Sequence, residues 1–304
     1  MKLILANNQN QKFTDFYHDL QRQASEEFDY ASYRDLLFRF DGQAQPQLYN
    51  LLTGRELADY DGVYINGYLS TYELAAAVAI TCKARGIGFV NQEFHDPPSL
   101  SKLSMHAKLA AANVQTPATL AGTKQALLKA KDQVENFSYP AILKRADADR
   151  GIDNYMIRSA EELEVLLQTH DDKSLWILQQ FIPNDGFYLV SFYGGEPKFC
   201  IFRSLEERPD GNAQKAHMYK PKGGANAGLI ELQDAPPAII ATCQNAVQAM
   251  NRQIASVDCI YDASSDQVYV LEVNYNPQLV TINTFKEERT AAFLDYLPKI
   301  GKGL

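Results

Sequence analysis

Val268-Tyr269-Val270-Leu271-Glu272-Val273-Asn274-Tyr275-Asn276-Pro277 is a strongly β-prone run in which two side chains of metal-ligand type, Glu272 and Asn274, stand two positions apart. Side chains alternate across a strand, so these two project from one face, with Leu271, Val273 and Tyr275 on the other. Upstream, Ile254-Ala255-Ser256-Val257-Asp258-Cys259-Ile260-Tyr261 is a second apolar run with a lone carboxylate, Asp258. The intervening Asp262-Ala263-Ser264-Ser265-Asp266 is turn chemistry, so the two runs read as a hairpin. Two carboxylates and an amide oxygen on one sheet face suit a hard cation. Magnesium is held by one or two protein carboxylates, with water and nucleotide phosphates supplying the rest. A solvated polar sheet face is the other reading of this segment, and the remainder of the chain has to choose between them.

The chain is long enough, at 304 residues, for two or three compact units, and its 46% apolar and 22% charged composition is that of a soluble globular protein. A net charge of −8 argues against a nucleic-acid binder, which needs a basic stripe, but not against a nucleotide whose bound cation brings its own positive charge. Cys82, Cys200, Cys243 and Cys259 show no paired spacing and lie in apolar runs, so buried thiols are expected rather than disulfides or a zinc site. The N-terminal run is too short for a signal peptide and no segment is apolar enough to span a membrane. The expectation is a cytoplasmic protein with neither nucleic-acid nor membrane partners.

The first hundred or so positions alternate strand and helix: a strand over Lys2–Ala6, a helix over 11–28, a strand over 61–66, an Ala-rich helix from Ser70 to Gly86 opened by a capping box, and a strand over 87–91. That is the βαβ pattern of a parallel layer, ending near Pro97-Pro98. A mixed unit follows: helices over 99–113, 124–135 and from Ser159 to His170, and extended runs over 114–120, 139–144, 155–158 and 175–182. The last third is sheet-rich. A hairpin turns at Gly194-Gly195, a Lys- and Gly-rich loop covers 215–228, and helices are expected at 236–251 and 285–297 on either side of the hairpin that carries Asp258 and Glu272.

In that order, the pieces resemble the ATP-grasp superfamily, closest to its RimK-like and glutathione-synthetase-like carboxylate–amine ligases. The resemblance runs from about position 98 to the C-terminus. It is carried by Lys102-Leu103 with Val114-Gln115-Thr116-Pro117, by Tyr139-Pro140-Ala141-Ile142-Leu143-Lys144, by Ile177-Leu178-Gln179-Gln180-Phe181-Ile182, and by Asp258 with Glu272-Val273-Asn274-Tyr275-Asn276-Pro277. It implies an α/β (α+β) chain: an N-terminal parallel βαβ pre-ATP-grasp domain over 1–97, an ATP-grasp small subdomain, or nucleotide lid, over 98–182, and a C-terminal subdomain with the magnesium site over 183–304.

The same resemblance implies ATP and Mg2+ (or Mn2+) as cofactors. Asp258, Glu272 and Asn274 would hold metal. Lys102, Lys144, Gln179, Gln180, Phe181 and Ile182 would hold nucleotide, with Ile142, Leu178 and Ile182 either walls for the base or ordinary core. Arg203, Lys144 and Arg150 would act on the transferred phosphoryl group. A lysine at the end of an apolar strand fits this role, because its desolvation is compensated only when an anion meets it. A strand-end lysine snorkelling to water is the bland alternative for Lys144, as a surface ion pair is for Arg203.

Two departures bear on function. The lid loop, usually glycine-rich, is here Ala146-Asp147-Ala148-Asp149-Arg150-Gly151-Ile152-Asp153, with carboxylates where phosphate would approach. The charged pair usual after the adenine-holding hinge, which the run 177–182 resembles, is replaced by Phe187-Tyr188-Leu189, and the usual Arg-x-Asn by His217-Met218-Tyr219, ahead of Gly223-Gly224. Lys215, His217, Tyr219 and Lys222 are therefore expected to meet the acceptor substrate, a mobile solubilising loop being the alternative. The implied activity is a ligase that activates a small-molecule or peptide carboxylate as an acyl phosphate and joins it to an amine, releasing ADP and phosphate. The alternatives are a degenerate module that binds nucleotide or peptide without catalysis, and a peptide-tailing or macrocyclising ligase. A homo-oligomer is compatible with each.

Overall fold

The computed structural model describes residues 1–6, 11–39, 46–67, 71–95, 102–130, 134–146, 154–170, 174–184, 186–204, 227–275 and 285–302. The N-terminal part is a parallel sheet of β1 (Lys2–Ala6), β2 (Phe28–Ser32), β6 (Gly62–Tyr64) and β7 (Phe89–Val90), in the order β2-β1-β6-β7. Helix α1 (Gln11–Gln23) crosses from β1 to β2, and α2 (Tyr72–Ala84) from β6 to β7. The helix expected over 11–28 thus ends at Gln23, and Phe28 opens a strand instead. Phe28 and Ala31 are buried in the parallel sheet, a tertiary environment that helical spacing cannot report. The capping box expected at Ser70 is also revised: α2 is N-capped by Thr71, whose side chain makes no capping bond, while Ser70 lies outside the described residues. The unassigned stretch between β2 and β6 forms a small antiparallel sheet of β3 (Leu36–Arg39), β4 (Gln47–Asn50) and β5 (Arg55–Glu56).

The middle sheet is antiparallel, ordered β10-β9-β11-β8, from β8 (Thr119–Thr123), β9 (Ala141–Arg145), β10 (Asn154–Ile157) and β11 (Leu175–Gln180). One face packs Ala141, Leu143, Trp176 and Leu178 under α4 (Lys124–Lys129) and α5 (Ala160–Gln168), through Leu127, Leu163 and Leu167. Ser159 N-caps α5 by accepting from the Glu162 N–H, the first half of the capping box its sequence predicts. Glu162 itself accepts from the Arg158 N–H. Helix α3 (Lys102–Ala111) precedes this sheet.

The C-terminal sheet is antiparallel, ordered β14-β13-β12-β15-β16, from β12 (Gly186–Tyr193), β13 (Glu196–Ser204), β14 (Ala227–Ile230), β15 (Ile254–Asp262) and β16 (Gln267–Asn274). β12 and β13 turn at Gly194 (φ +70°) and Gly195 (φ +76°), the left-handed pair that a tight two-residue hairpin needs. One face buries Val190, Phe192, Cys200, Val257 and Val273 against α6 (Pro237–Ala249) and against Met105 and Leu109 of α3. The other face joins Leu189, Tyr193, Ile201 and Ile254 to Ile4, Phe28 and Tyr64 of the N-terminal sheet and to Phe293 of α7 (Lys286–Tyr296). The chain end closes against β6, where the Ile300 carbonyl lies so near Gly62 that any side chain there would overlap it. All four cysteines are buried thiols. Among the described residues no helix is long and apolar enough to cross a membrane.

Candidate functional site

The β15–β16 hairpin forms as its sequence predicts, and one irregularity decides which way its side chains face. Asp258 pairs directly with Glu272, Ser256 with Asn274, and Cys259 with Val270, so Leu271 is an extra residue bulged out of β16. Strict alternation would put Val268 and Val270 on the same face as Glu272 and Asn274. The bulge reverses the phase, so Val268, Val270 and Val273 all enter the core under α6, while Glu272 and Asn274 stand on the opposite face beside Asp258. The expectation that Leu271 simply alternates with Glu272 is corrected accordingly.

The Asn274 amide nitrogen donates to Asp258 Oδ2 at 3.3 Å, which leaves the amide oxygen for another donor or a cation. Asp258 Oδ1 is buried with no hydrogen-bond partner among the described residues. Burial and, secondarily, the facing Glu272 push the Asp258 carboxyl up to about 7, against the pull of Arg203 and Asn274. Two opposed carboxylates with an orphaned oxygen fit a divalent cation, and the donor set of carboxylate, carboxylate and amide suits magnesium. Larger groups of His, Cys, Asp and Glu that could hold a metal are absent among the described residues.

The phosphate-type lysines lie across from this set. On β9, Ala141 and Leu143 enter the helix-covered core, so Ile142 and Lys144 lie on the opposite sheet face. On β11, Trp176 and Leu178 are in that core, and Ile177 and Gln179 lie on the same opposite face as Lys144 and Ile142. Leu178 is therefore ordinary core, the second of its two expected readings. Lys144 Nζ donates to Gln179 Oε1 at 2.6 Å. Burial and the nearby Lys102 hold Lys144 down to about 8, with Glu272 pulling the other way. From α3, Lys102 Nζ lies 3.7 Å from Glu272 Oε1, tying the helix to the metal-type carboxylates. At the end of β11, the Gln180 N–H donates to the Ala118 carbonyl (2.8 Å) and the Phe181 N–H to the Pro140 carbonyl (3.0 Å), so both donors are taken within the fold. Gln180 and Phe181 are half-buried and Ile182 is buried. Arg203 is buried on the same sheet face as Asp258, its Nε without a partner among the described residues and its guanidinium 5.9 Å from the Phe187 ring centroid. Arg150, Lys215, His217, Tyr219 and Lys222 lie outside the described residues.

His106 was not anticipated. It follows Lys102 by one helical turn on α3, and its Nε2 lies 3.5 Å from Gln179 Nε2, which also reaches Thr119 Oγ1 at 3.4 Å. The Lys102–His106 spacing was the available signal. Burial, then Lys144 and Lys102, hold the His106 imidazole down to about 4. An unfolded histidine takes its proton near 6.5, so the folded state is fully favoured above about 6.5 and loses stability as pH falls toward 4. His106→Gln should flatten this acid limb by about 1–2 kcal/mol at pH 5. Urea midpoints at pH 7 and pH 5 measure it, and an unchanged pH 7-to-5 loss in the variant would discard the assignment.

No protein-family model matches the sequence, and no curated protein matches it either. Solved structures match its fold over nearly their whole length. A D-alanine–D-alanine ligase from Bacillus anthracis is 16% identical, covering 99% of this chain and 97% of that one, with a TM-score of 0.64. The ATP-grasp ligase PsnB, complexed with precursor peptide PsnA2 and AMPPNP, is 13% identical over 99% and 97% of the two chains, with a TM-score of 0.66. A RimK domain ATP-grasp protein from Sphaerobacter thermophilus is 13% identical over 97% and 98%, with a TM-score of 0.60. The chain has the ATP-grasp fold.

Proposed function

We propose that this chain is an ATP- and magnesium-dependent ligase that activates a carboxylate as an acyl phosphate and joins it to an amine, with release of ADP and phosphate. The observation that carries this is a cationic set facing a set of metal-type oxygen donors: Lys102 and Lys144 on one side, Asp258, Glu272 and Asn274 on the other, with Lys102 already 3.7 Å from Glu272. Magnesium (or manganese) bound at the carboxylates would supply positive charge against the β- and γ-phosphate oxygens. Lys144, released from Gln179, and Lys102, released from Glu272, neutralise phosphate oxygens at the opposite wall. Arg203 offers a buried guanidinium beside Asp258, where charge gathers as the phosphoryl group moves. Arg150 belongs to the same proposal.

The fold serves substrates of very different size. The B. anthracis protein of this fold is a D-alanine–D-alanine ligase, solved also with ATP, and PsnB has been solved with a minimal precursor, Mg and ADP. The test is therefore ADP release over a panel pairing amino-acid-sized and peptide carboxylates with both kinds of amine. Release that requires both partners supports the ligase. A second reading, nucleotide binding without transfer, is favoured by the run 146–153, which holds one glycine and three aspartates. Binding of ATP with metal but no ADP from any pair would remove the ligase and leave that reading.

A further inference from the structure

β16, which carries Glu272 and Asn274, is the outer strand of its sheet, so alternate backbone groups face away from β15 with no strand among the described residues to receive them. At Val273, between the two candidate ligands, both groups find other partners. The N–H donates to Met105 Sδ at 3.3 Å, and the carbonyl accepts from Arg252 Nη1. Arg252 is 3% exposed, and two further donors are held by Glu93, which is 0% exposed: Nε to Oε2, and Nη2 to Oε1 at 3.1 Å. The guanidinium lies 3.7 Å from the centroid of the Tyr275 ring, and Phe94 stacks on the same ring at 5.1 Å. The residues around Glu93 are sewn to the start of β15 as well: Asn91 Oδ1 accepts from the Ile254 N–H (2.8 Å), the Gln92 N–H donates to Gln253 Oε1 (2.9 Å), and the Glu93 N–H donates to the Asn251 carbonyl (3.3 Å).

We propose that Arg252, gripped by Glu93 from the edge of the N-terminal sheet, is a positioning residue that fixes the backbone between Glu272 and Asn274 and so sets the spacing of the metal donors. The inference rests on the metal-site reading above. Its physical basis is the planar, forked geometry of arginine. One guanidinium meets a carboxylate with two donors, a carbonyl with a third and an aromatic ring with its face, a combination that an ammonium cannot reproduce. Groups one bond removed from metal donors commonly change metal affinity by about 10- to 100-fold when lost.

The test is Mn2+ binding in the presence of ADP, followed by electron paramagnetic resonance on the full chain. It compares wild type, Glu272→Gln, and the double variant Glu93→Gln with Arg252→Met, in which no buried charge is left unpaired. The expected result is tight Mn2+ binding to wild type and an affinity about 10- to 100-fold weaker in the folded double variant, with metal-free ADP binding unchanged. A folded double variant that binds Mn2+ as wild type does overturns the positioning role alone, because Glu272→Gln still reports the site. Wild type that binds no Mn2+, or Glu272→Gln that binds it undiminished, overturns the metal site and the positioning role with it. Should the double variant not fold, Arg252→Lys, which keeps the charge but loses the fork, is judged by the same criterion.

Discussion

Glu272→Ala is expected to lose ATP turnover by about 10²- to 10³-fold or more while the fold stays intact. The side chain is 37% exposed, so its removal costs the folded state little. Its effect on ligands should split in two. Metal-assisted nucleotide binding should fail, because Asp258 and Asn274 alone make a poor site. Metal-free nucleotide binding should persist or tighten, because Glu272 is the anion that faces Lys102 and acts on Lys144. Calorimetric titration with Mg·ATP, and with ATP plus a chelator, separates the two. Near-wild-type turnover in the variant would dismiss the proposed metal site.

The second large effect is expected at Lys144. A charge-assisted bond from a half-buried lysine to phosphate is worth about 1.5–3 kcal/mol, so Lys144→Met should weaken nucleotide binding by about 10- to 150-fold. The pH dependence carries the sign. Lys144 is held down to about 8, so wild-type affinity should decline as pH rises through 8 and the ammonium is lost, and the variant should lack that decline. Stability should move the other way. A lysine whose folded pKa lies below its unfolded value penalises the folded state wherever it is charged, and the penalty is relieved as pH rises from 8 toward 10.5. The variant should therefore be as stable as wild type at neutral pH, or more so, when no nucleotide is bound. Equal nucleotide affinity in the two proteins would dismiss Lys144 from the site.

Much of this protein was legible along the chain because the relevant signals are local. The β15–β16 hairpin, the Gly194-Gly195 turn and the Ser159 cap each depend on residues within a few positions, and each forms where the sequence places it. Glu272 and Asn274 share a face as strand alternation requires. The bulge at Leu271 was not legible, because a bulge answers a mismatch between two strands, and only their pairing reveals it. β2 was missed for a similar reason. Phe28 to Ser32 becomes a strand because β1 lies beside it in register, and a single-chain periodicity has no means of expressing that neighbour.

The division is the same at the site. Sequence alone determined the chemical inventory: two carboxylates and an amide on one hairpin, and lysines at a helix start and a strand end. Only the tertiary structure decided which of these meet. It set Lys102 against Glu272 and Lys144 against Gln179, brought His106 in behind them, and turned Leu178 into the core. It also joined Glu93 to Arg252, 159 positions apart, and through Arg252 to Val273. Local order follows from backbone sterics and alternation, which act over a few residues. The approach of distant charges is set by which apolar faces are buried together, and that is a property of the packed sheets.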